Sequence, residues 1–152
     1  MTTSTSATGT AQPHAFDDAE KAAACSVTDR IDAAWNANDG DGFADVFTSD
    51  GSLALSGDRY YKGREDIRTH VKEQFAGPHK GTRLVQNIVD FMFIGPQAAV
   101  VTTEGGVLAP GENDVHPDRA LRATWVVTKQ DDTWYIAAYQ NGRRADGKLP
   151  GA

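Results

Sequence analysis

The sequence contains a single cysteine, Cys25, among its 152 residues. One thiol excludes an intramolecular disulfide and a cysteine-based metal cage, and it is typical of a protein kept in a reducing compartment. We therefore expect a cytoplasmic protein. No apolar stretch approaches the ~18–20 residues that a membrane-spanning helix needs, and the first residues show neither the basic nor the apolar region of a signal peptide. A membrane is not an expected partner.

Basic residues are also scarce, since 15 Lys and Arg against 21 Asp and Glu give a formal net charge of −6. A protein that follows nucleic-acid phosphates needs a basic face, so nucleic acid is not an expected partner. The chain also lacks a phosphate-binding glycine loop, a dinucleotide fingerprint and a nucleophile elbow. Its histidines and acidic residues do not follow the spacing of metal ligands. We therefore expect no cofactor and no metal ion.

What the chain does contain suits one globular domain. Hydrophobic residues make up 39% of the sequence and charged residues 24%, which is typical of a soluble protein of this length. Residues 1–14 form a low-complexity stretch rich in Ser and Thr, which predicts a disordered tail. We predict a single domain over residues 15–143 and a loop-like tail over residues 144–152.

Periodicity predicts three helices and two long hairpins. The first helix should begin near Phe16, and a short second helix should carry Phe43, Val46 and Phe47. Two short strands, at 51–55 and 59–61, precede a third helix over 63–75. Four long antiparallel strands should then follow, over 82–94, 98–109, 121–129 and 133–141. This order predicts an α+β fold with helices on one face of a curved sheet.

The last hairpin, LRATWVVTKQDDTWYIAAYQN over 121–141, lacks a clearly polar face. Alternate side chains of a strand point to opposite faces, so both faces of such a strand must be covered. A helix or cavity on one face and another subunit on the other would cover them. The hairpin therefore predicts a homodimer formed through the outer face of the sheet.

Four stretches carry a family resemblance: FADVFTSDGSL, YYKGREDI, VDFMFIGPQAAVV and the last hairpin. With them the chain resembles the SnoaL-like proteins of the nuclear-transport-factor-two-like superfamily. Within it, the chain is similar to the SgcJ/EcaC branch, which includes proteins encoded in enediyne polyketide gene clusters. The resemblance implies a cone-shaped fold, with three N-terminal helices packed on a strongly curved mixed, mostly antiparallel sheet around an apolar cavity.

The resemblance leaves two functions open, because this fold hosts several activities. One is a cofactor-independent cyclase, isomerase or dehydratase that acts on a polyene or polyketide intermediate. The alternative is a non-catalytic protein that holds a hydrophobic polyene and delivers it to a partner enzyme. A hydrophobic small molecule, a second copy of the chain and a polyketide synthase or associated enzyme are the implied partners. Well-characterised members place an Asp in the cavity, but no Asp of this sequence can be matched to it.

Three polar residues within apolar elements are candidates for catalysis: Glu104, Arg122 and His70. A carboxylate on the cavity side of its strand would be desolvated and suited to proton transfer, and an arginine could stabilise an anion. Centring the loop between their strands places Glu104 opposite Arg122, on the same face. The alternatives are a rim carboxylate or a surface ion pair for these two, and a satisfied core residue for His70.

Aromatic and amide residues are the candidates for ligand binding. The predicted cavity wall consists of large rings from the helices and early strands, with polar groups from the last strand that could orient a carbonyl. The alternatives are an ordinary core for the rings and a dimer interface for the polar groups. These candidates are Trp35, Phe43, Phe47, Tyr60, Phe75, Trp125, Tyr139 and Asn141.

Overall fold

The computed structural model describes residues 13–144, with side chains from residue 18 onward. Within this part of the chain, the elements follow the predicted order of two helices, two strands, a helix and two long hairpins. They are α1 Pro13–Asn36, α2 Gly40–Ala44, β1 Phe47–Leu55, β2 Arg59–Lys62, α3 Arg64–Ala76, β3 Arg83–Gly95, β4 Ala98–Leu108, β5 Leu121–Gln130 and β6 Thr133–Arg143. A 3-10 turn, Pro117–Arg119, precedes β5. No helix between residues 13 and 144 is long and apolar enough to cross a membrane.

The six strands form one curved sheet in the order β2-β1-β6-β5-β4-β3. The β1 and β6 strands run parallel and every other neighbouring pair is antiparallel. The sheet is therefore mixed but mostly antiparallel, and the chain has an α+β fold. The predicted hairpins are both present, with Gln130 paired to Thr133 across Asp131 and Asp132. Both aspartates have positive φ angles, as two-residue hairpin turns require.

Two boundaries differ from the sequence-based expectation. Helix α1 begins at Pro13 rather than near Phe16, where a proline is tolerated because the first N–H groups of a helix lack partners. Helix α2 ends at Ala44, and Phe47 begins strand β1 instead of extending the helix. Phe47 pairs in parallel with Ile136, a contact between distant parts of the chain. The predicted tails over 1–14 and 144–152 lie outside the described residues, except for the first two residues of α1 and Arg144.

The implied arrangement of three N-terminal helices is not confirmed, because α3 follows the first two strands of the sheet. The three helices pack on the inner face of the sheet and form the core with it. Trp125, Val127 and Ile136 project inward from the strands and are at most 1% exposed. Arg68 of α3 makes ion pairs with Asp41 of α2 and with Asp45 at the end of α2, at 2.9 and 2.8 Å. These contacts fix α3 against α2 and so position the side chains that α3 directs toward the sheet.

A bulge decides which residues of β6 face inward. Val127 pairs with Ile136 and Trp125 pairs with Tyr139, so one extra residue of β6 lies between these pairs. Ile136 and Tyr139 therefore lie on the same face although their numbers differ by three. Without the bulge, Ala138 and Gln140 would share the inner face with Ile136, instead of Tyr139 and Asn141.

Candidate functional site

A cavity of about 130 Å³ lies between the helices and the inner face of the sheet. Its wall is predominantly apolar, as the sequence predicted. Seven of the eight predicted ligand-binding residues line it: Trp35, Phe43, Phe47, Phe75, Trp125, Tyr139 and Asn141. The volume is below the roughly 300–1,000 Å³ of most ligand sites. A large ligand would therefore have to extend through the cavity mouth or displace side chains.

The aromatic wall is held together by contacts between rings from different elements. The ring of Trp35 in α1 meets Phe75 of α3 edge-on, with centroids 5.1 Å apart, and lies 6.1 Å from Phe43 of α2. Its indole N–H donates to Thr82 Oγ1 at 3.0 Å. Trp125 meets Tyr139 edge-on at 5.0 Å and donates to Thr103 Oγ1 at 2.9 Å. Each indole thus has its polar atom satisfied while its ring shapes the cavity.

Tyr139 presents a positioned hydroxyl group to the cavity. The Ser56 backbone N–H donates to Asn141 Oδ1 at 3.0 Å, and Asn141 Nδ2 donates to Tyr139 Oη at 3.1 Å. The Tyr139 oxygen therefore accepts a hydrogen bond, and its own proton has no acceptor among the described residues. Burial raises the pKa of Tyr139 to about 12, so the phenol stays protonated. It can donate a hydrogen bond to a ligand oxygen.

Asp32 of α1 is a half-buried carboxyl beside the cavity. Its neighbours Ile31 and Trp35 line the cavity, whereas Asp32 itself is not one of the lining residues. Gln86 Nε2 of β3 donates to its Oδ1 at 2.6 Å. Burial raises the pKa of Asp32 to about 6, and the charge of Asp29 adds to this, while the Gln86 hydrogen bond opposes it. The carboxyl can therefore both accept and release a proton near neutral pH.

His70, a predicted catalytic residue, also lines the cavity. It is 8% exposed, and its ring stacks on Tyr61 with centroids 4.0 Å apart. Burial, with the nearby Arg59, lowers the pKa of His70. His79 lines the cavity too, packs edge-on against Trp35 at 5.1 Å, and has its pKa lowered by the same two causes. Both imidazoles are therefore neutral at about pH 7.

The structure separates the other two predicted catalytic residues from the cavity. Glu104 pairs with Arg122 on adjacent strands, as predicted, with Arg122 Nε donating to Glu104 Oε2 at 2.8 Å. The pair lies on the outer face of the sheet, where the Arg122 side chain is 56% exposed, because Thr103 and Ala123 beside them occupy the buried inner positions. A catalytic role in the cavity is therefore incorrect for both residues, and the alternative of a surface ion pair describes them.

Tyr60 is the one predicted ligand-binding residue that does not line the cavity. It is 63% exposed and lies with Arg122 and Thr124 in a shallow depression on the outer face. The inner position of β2 is taken by its neighbour Tyr61, which packs against the core. Shifting a strand by one residue exchanges its two faces. Because Tyr60 and Tyr61 are consecutive residues of the same type, the sequence alone does not indicate which of them faces inward.

Asp32 and Gln86 were missed by the sequence analysis. One signal was present, because Asp32 follows the buried Thr28 by one helical turn and precedes Trp35 by three residues, which places it on the buried side of α1. Gln86 belongs to a strand whose inward residues are only partly buried, so no pattern distinguished it. Among residues 13–144, no group of three or more His, Cys, Asp or Glu side chains is arranged to hold a metal ion.

The raised pKa of Asp32 predicts that its ionised form destabilises the fold at a pH above about 6. The unfolded state loses the proton near the ordinary value of 3.8, whereas the folded state holds it up to about 6, so stability falls as the pH rises between these values. The upper limit is about 3 kcal/mol, and for a half-buried carboxyl we expect about 1 kcal/mol. Asp32→Asn should therefore be more stable than the parent at pH 7 and equally stable near pH 3, measured by urea denaturation. A stability difference independent of pH would contradict this.

Comparison with known proteins gives one family and many similar structures. Residues 19–140 match the model of a family described as SnoaL-like domain. A cystatin-like-fold domain from Nostoc punctiforme is 28% identical, with a TM-score of 0.75 over 88% of this chain and 80% of the other. A ketosteroid isomerase-like protein from Erwinia carotovora atroseptica is 18% identical, with a TM-score of 0.66 over 84% and 98%.

A third similar structure supports the same architecture. An NTF2-like protein with a cystatin-like fold from Novosphingobium aromaticivorans is 16% identical, with a TM-score of 0.73 over 98% of this chain and 96% of the other. At this identity the similarity shows the fold alone. Comparison with curated proteins gives no significant match.

Proposed function

Because this chain belongs to the SnoaL-like domain family, whose fold encloses a cavity here, we propose that it is a cofactor-independent enzyme of proton transfer. The observation that carries the proposal is Asp32, a half-buried carboxyl with a pKa raised to about 6 beside an apolar cavity. A general base works best when its pKa lies near the working pH. Gln86 fixes one oxygen of Asp32 by a 2.6 Å hydrogen bond, which leaves the other available for a proton.

Tyr139 supplies the hydrogen-bond donor that complements the proposed base. When Asp32 removes a proton from a carbon next to a ligand carbonyl, the C–H electron pair moves into the carbonyl and negative charge develops on its oxygen. A neutral, buried phenol that donates a hydrogen bond stabilises that oxygen. Tyr139 is held for this role by Asn141. Return of the proton from Asp32 to a different carbon would complete an isomerisation. Attack of the enolate on a second carbonyl, with the proton returned from Asp32 to the resulting alkoxide oxygen, would complete a cyclisation.

The substrate class comes from the family resemblance rather than from the cavity. A polyene or polyketide intermediate of enediyne-type biosynthesis, in the cytoplasm and with a polyketide synthase or associated enzyme as partner, fits the SgcJ/EcaC branch. The aromatic wall formed by Trp35, Phe43 and Phe75 suits such a planar, apolar ligand. Because the cavity is small, either only a small part of the ligand lies inside it or the aromatic side chains of this wall are displaced.

A non-catalytic carrier is the second candidate function. Two observations favour it: Glu104 and Arg122 face away from the cavity, and Asp32 is not one of its lining residues. A carrier needs the aromatic wall but no titrating group. It would bind the polyene, protect it from water and deliver it to a partner enzyme without changing its bonds.

The test of catalysis uses a small ketone in heavy water. We expect the full-length protein to accelerate deuterium incorporation next to the carbonyl of 2-cyclohexenone, followed by NMR, because the ring is small enough for the cavity. A ligand that binds without any acceleration would support the carrier instead. If the pathway polyene did not bind in a mass-spectrometric assay, a polyene would be excluded as the ligand of both the proposed enzyme and the proposed carrier.

A second copy of this chain is the partner that the outer sheet face would bind. Met92 and Ile94 of β3 are each 55% exposed there, and contiguous apolar area of this kind marks interaction sites. Light scattering at micromolar concentration should give twice the monomer mass of 16.3 kDa. Met92→Asp should weaken the dimer at least about tenfold by burying a charge. Ala22→Asp, on the exposed side of α1, adds the same charge away from the interface and should leave the dimer intact.

A further inference from the structure

The polar part of the cavity wall carries positive charge and hydrogen-bond donors but no acid. Arg59, His70 and His79 all line the cavity, and none of the described residues that line it is Asp or Glu. The two imidazoles lie within electrostatic reach of Arg59, which contributes to lowering the pKa of each. With both imidazoles neutral at about pH 7, Arg59 is the fixed charge of this part of the wall.

Arg59 is held at the cavity by its own hairpin. It begins β2, and its Nε and Nη2 atoms both donate to the Ser56 carbonyl oxygen, at 3.1 and 3.0 Å. These two bonds use only part of the N–H donors of a guanidinium. Ser56 also donates its N–H to Asn141, so the carbonyl that fixes Arg59 belongs to the residue that helps to position Tyr139. The remaining N–H groups are available to a ligand.

His70 adds a hydrogen-bond donor to this part of the wall. Its side chain is largely buried and lines the cavity, and no hydrogen bond joins it to any residue that the structure describes. A neutral imidazole carries one N–H donor. This N–H is therefore available to a ligand oxygen.

We infer that the cavity binds ligands that carry a carboxylate, with the anionic group held by Arg59 and by the imidazole N–H groups of His70 and His79. The apolar body of the ligand would lie against the Trp35 and Phe75 rings. Asp32 is bonded to Gln86 of β3, the strand at the opposite edge of the sheet from the β1–β2 hairpin. The proposed base and the proposed carboxylate site are therefore supplied by different strands of the sheet. This inference rests on the proposed function of the cavity as a ligand site.

The experiment compares two ligands of the same shape that differ in charge. Benzoate and benzamide are titrated into the full-length protein at about 20 mM salt, where surface charges are little screened, with tryptophan fluorescence as the readout. We expect benzoate to bind about tenfold more tightly than benzamide, as a charge-assisted hydrogen bond predicts. Arg59→Gln should remove this preference and leave benzamide affinity unchanged within about twofold. Arg59→Lys should retain part of it.

Arg122→Gln is the matched control, because it removes the same charge from the outer face. It should keep the full preference for benzoate. Equal binding of the two ligands by the parent protein, or loss of the preference in Arg122→Gln but not in Arg59→Gln, would overturn the inference and leave the proposed function in place. Binding of neither ligand at millimolar concentration would overturn both.

Discussion

Replacing Asp32 with asparagine should lower the rate of deuterium exchange by about 10²–10⁴-fold, the usual contribution of a general base. Asparagine keeps the shape of the side chain and can still accept the 2.6 Å hydrogen bond from Gln86, but it cannot take a proton. Ligand affinity should change little, because Asp32 is not one of the residues that line the cavity. The measurement is the initial rate of exchange by NMR, with affinity measured separately by fluorescence.

The pH profile distinguishes a base from a residue that only maintains the structure. Exchange by the parent protein should rise with pH and level off above about 6, where Asp32 is ionised. The residual rate of Asp32→Asn should lack this step. Asp29→Asn is the matched control, since Asp29 is exposed one turn away on α1 and raises the pKa of Asp32. It should retain the rate and move the step to slightly lower pH.

Unchanged exchange in Asp32→Asn would exclude Asp32 as the base. His70 and His79 would then be the remaining titrating groups of the described cavity wall that could accept a proton at neutral pH, because the pKa of each is lowered and both imidazoles are neutral. The absence of exchange in the parent protein, together with tight binding of an apolar ligand, would instead identify the chain as a carrier.

Replacing Trp125 with alanine should lower the free energy of unfolding by about 3–5 kcal/mol, as large aromatic truncations in cores do. Trp125 is 1% exposed, and its indole both closes the cavity floor against Tyr139 and donates to Thr103 Oγ1 at 2.9 Å. Truncation would leave a void and an unpaired buried hydroxyl. Urea denaturation followed by circular dichroism measures the change.

Two controls separate the ring from its hydrogen bond. Thr103→Val keeps the shape but leaves the indole N–H unpaired, and it should cost about 1–3 kcal/mol. Val126→Ala removes a side chain from the outer face of the same strand, where Val126 is only partly buried, and it should cost less than either. If Trp125→Ala were no more destabilising than Val126→Ala, the ring would not be part of the core that shapes the cavity.

Local patterns were sufficient to predict the α+β fold class and the order of the elements. The β-branched and aromatic runs gave the four long strands, and the short polar connections gave their antiparallel pairing. The pairing of Glu104 with Arg122 followed from centring one loop, because consecutive antiparallel strands pair about their connection. Part of the cavity wall was also predictable, since Trp35, Phe43 and Phe75 each lie on the apolar side of their own helix.

Tertiary structure decided the chemistry of the site. Phe47 belongs to the sheet through its parallel pairing with Ile136, which no local sequence pattern predicts. The bulge in β6 turned Tyr139 inward, and the choice between Tyr60 and Tyr61 depended on the register of β2. Glu104 and Arg122 had the predicted contact but on the wrong face, because alternation defines two faces without saying which one the helices cover.

Asp32 shows most clearly which properties the sequence predicts and which depend on the tertiary structure. The sequence places it on the buried side of α1, but the pKa of Asp32 is raised to about 6 because the packing of α1 on β3 removes water from the carboxyl, against the opposing effect of the hydrogen bond from Gln86. Side-chain type and spacing are properties of the chain, and they determined the fold and the cavity wall. Desolvation depends on which distant residues come together, so only the tertiary structure could indicate Asp32 as the proposed base.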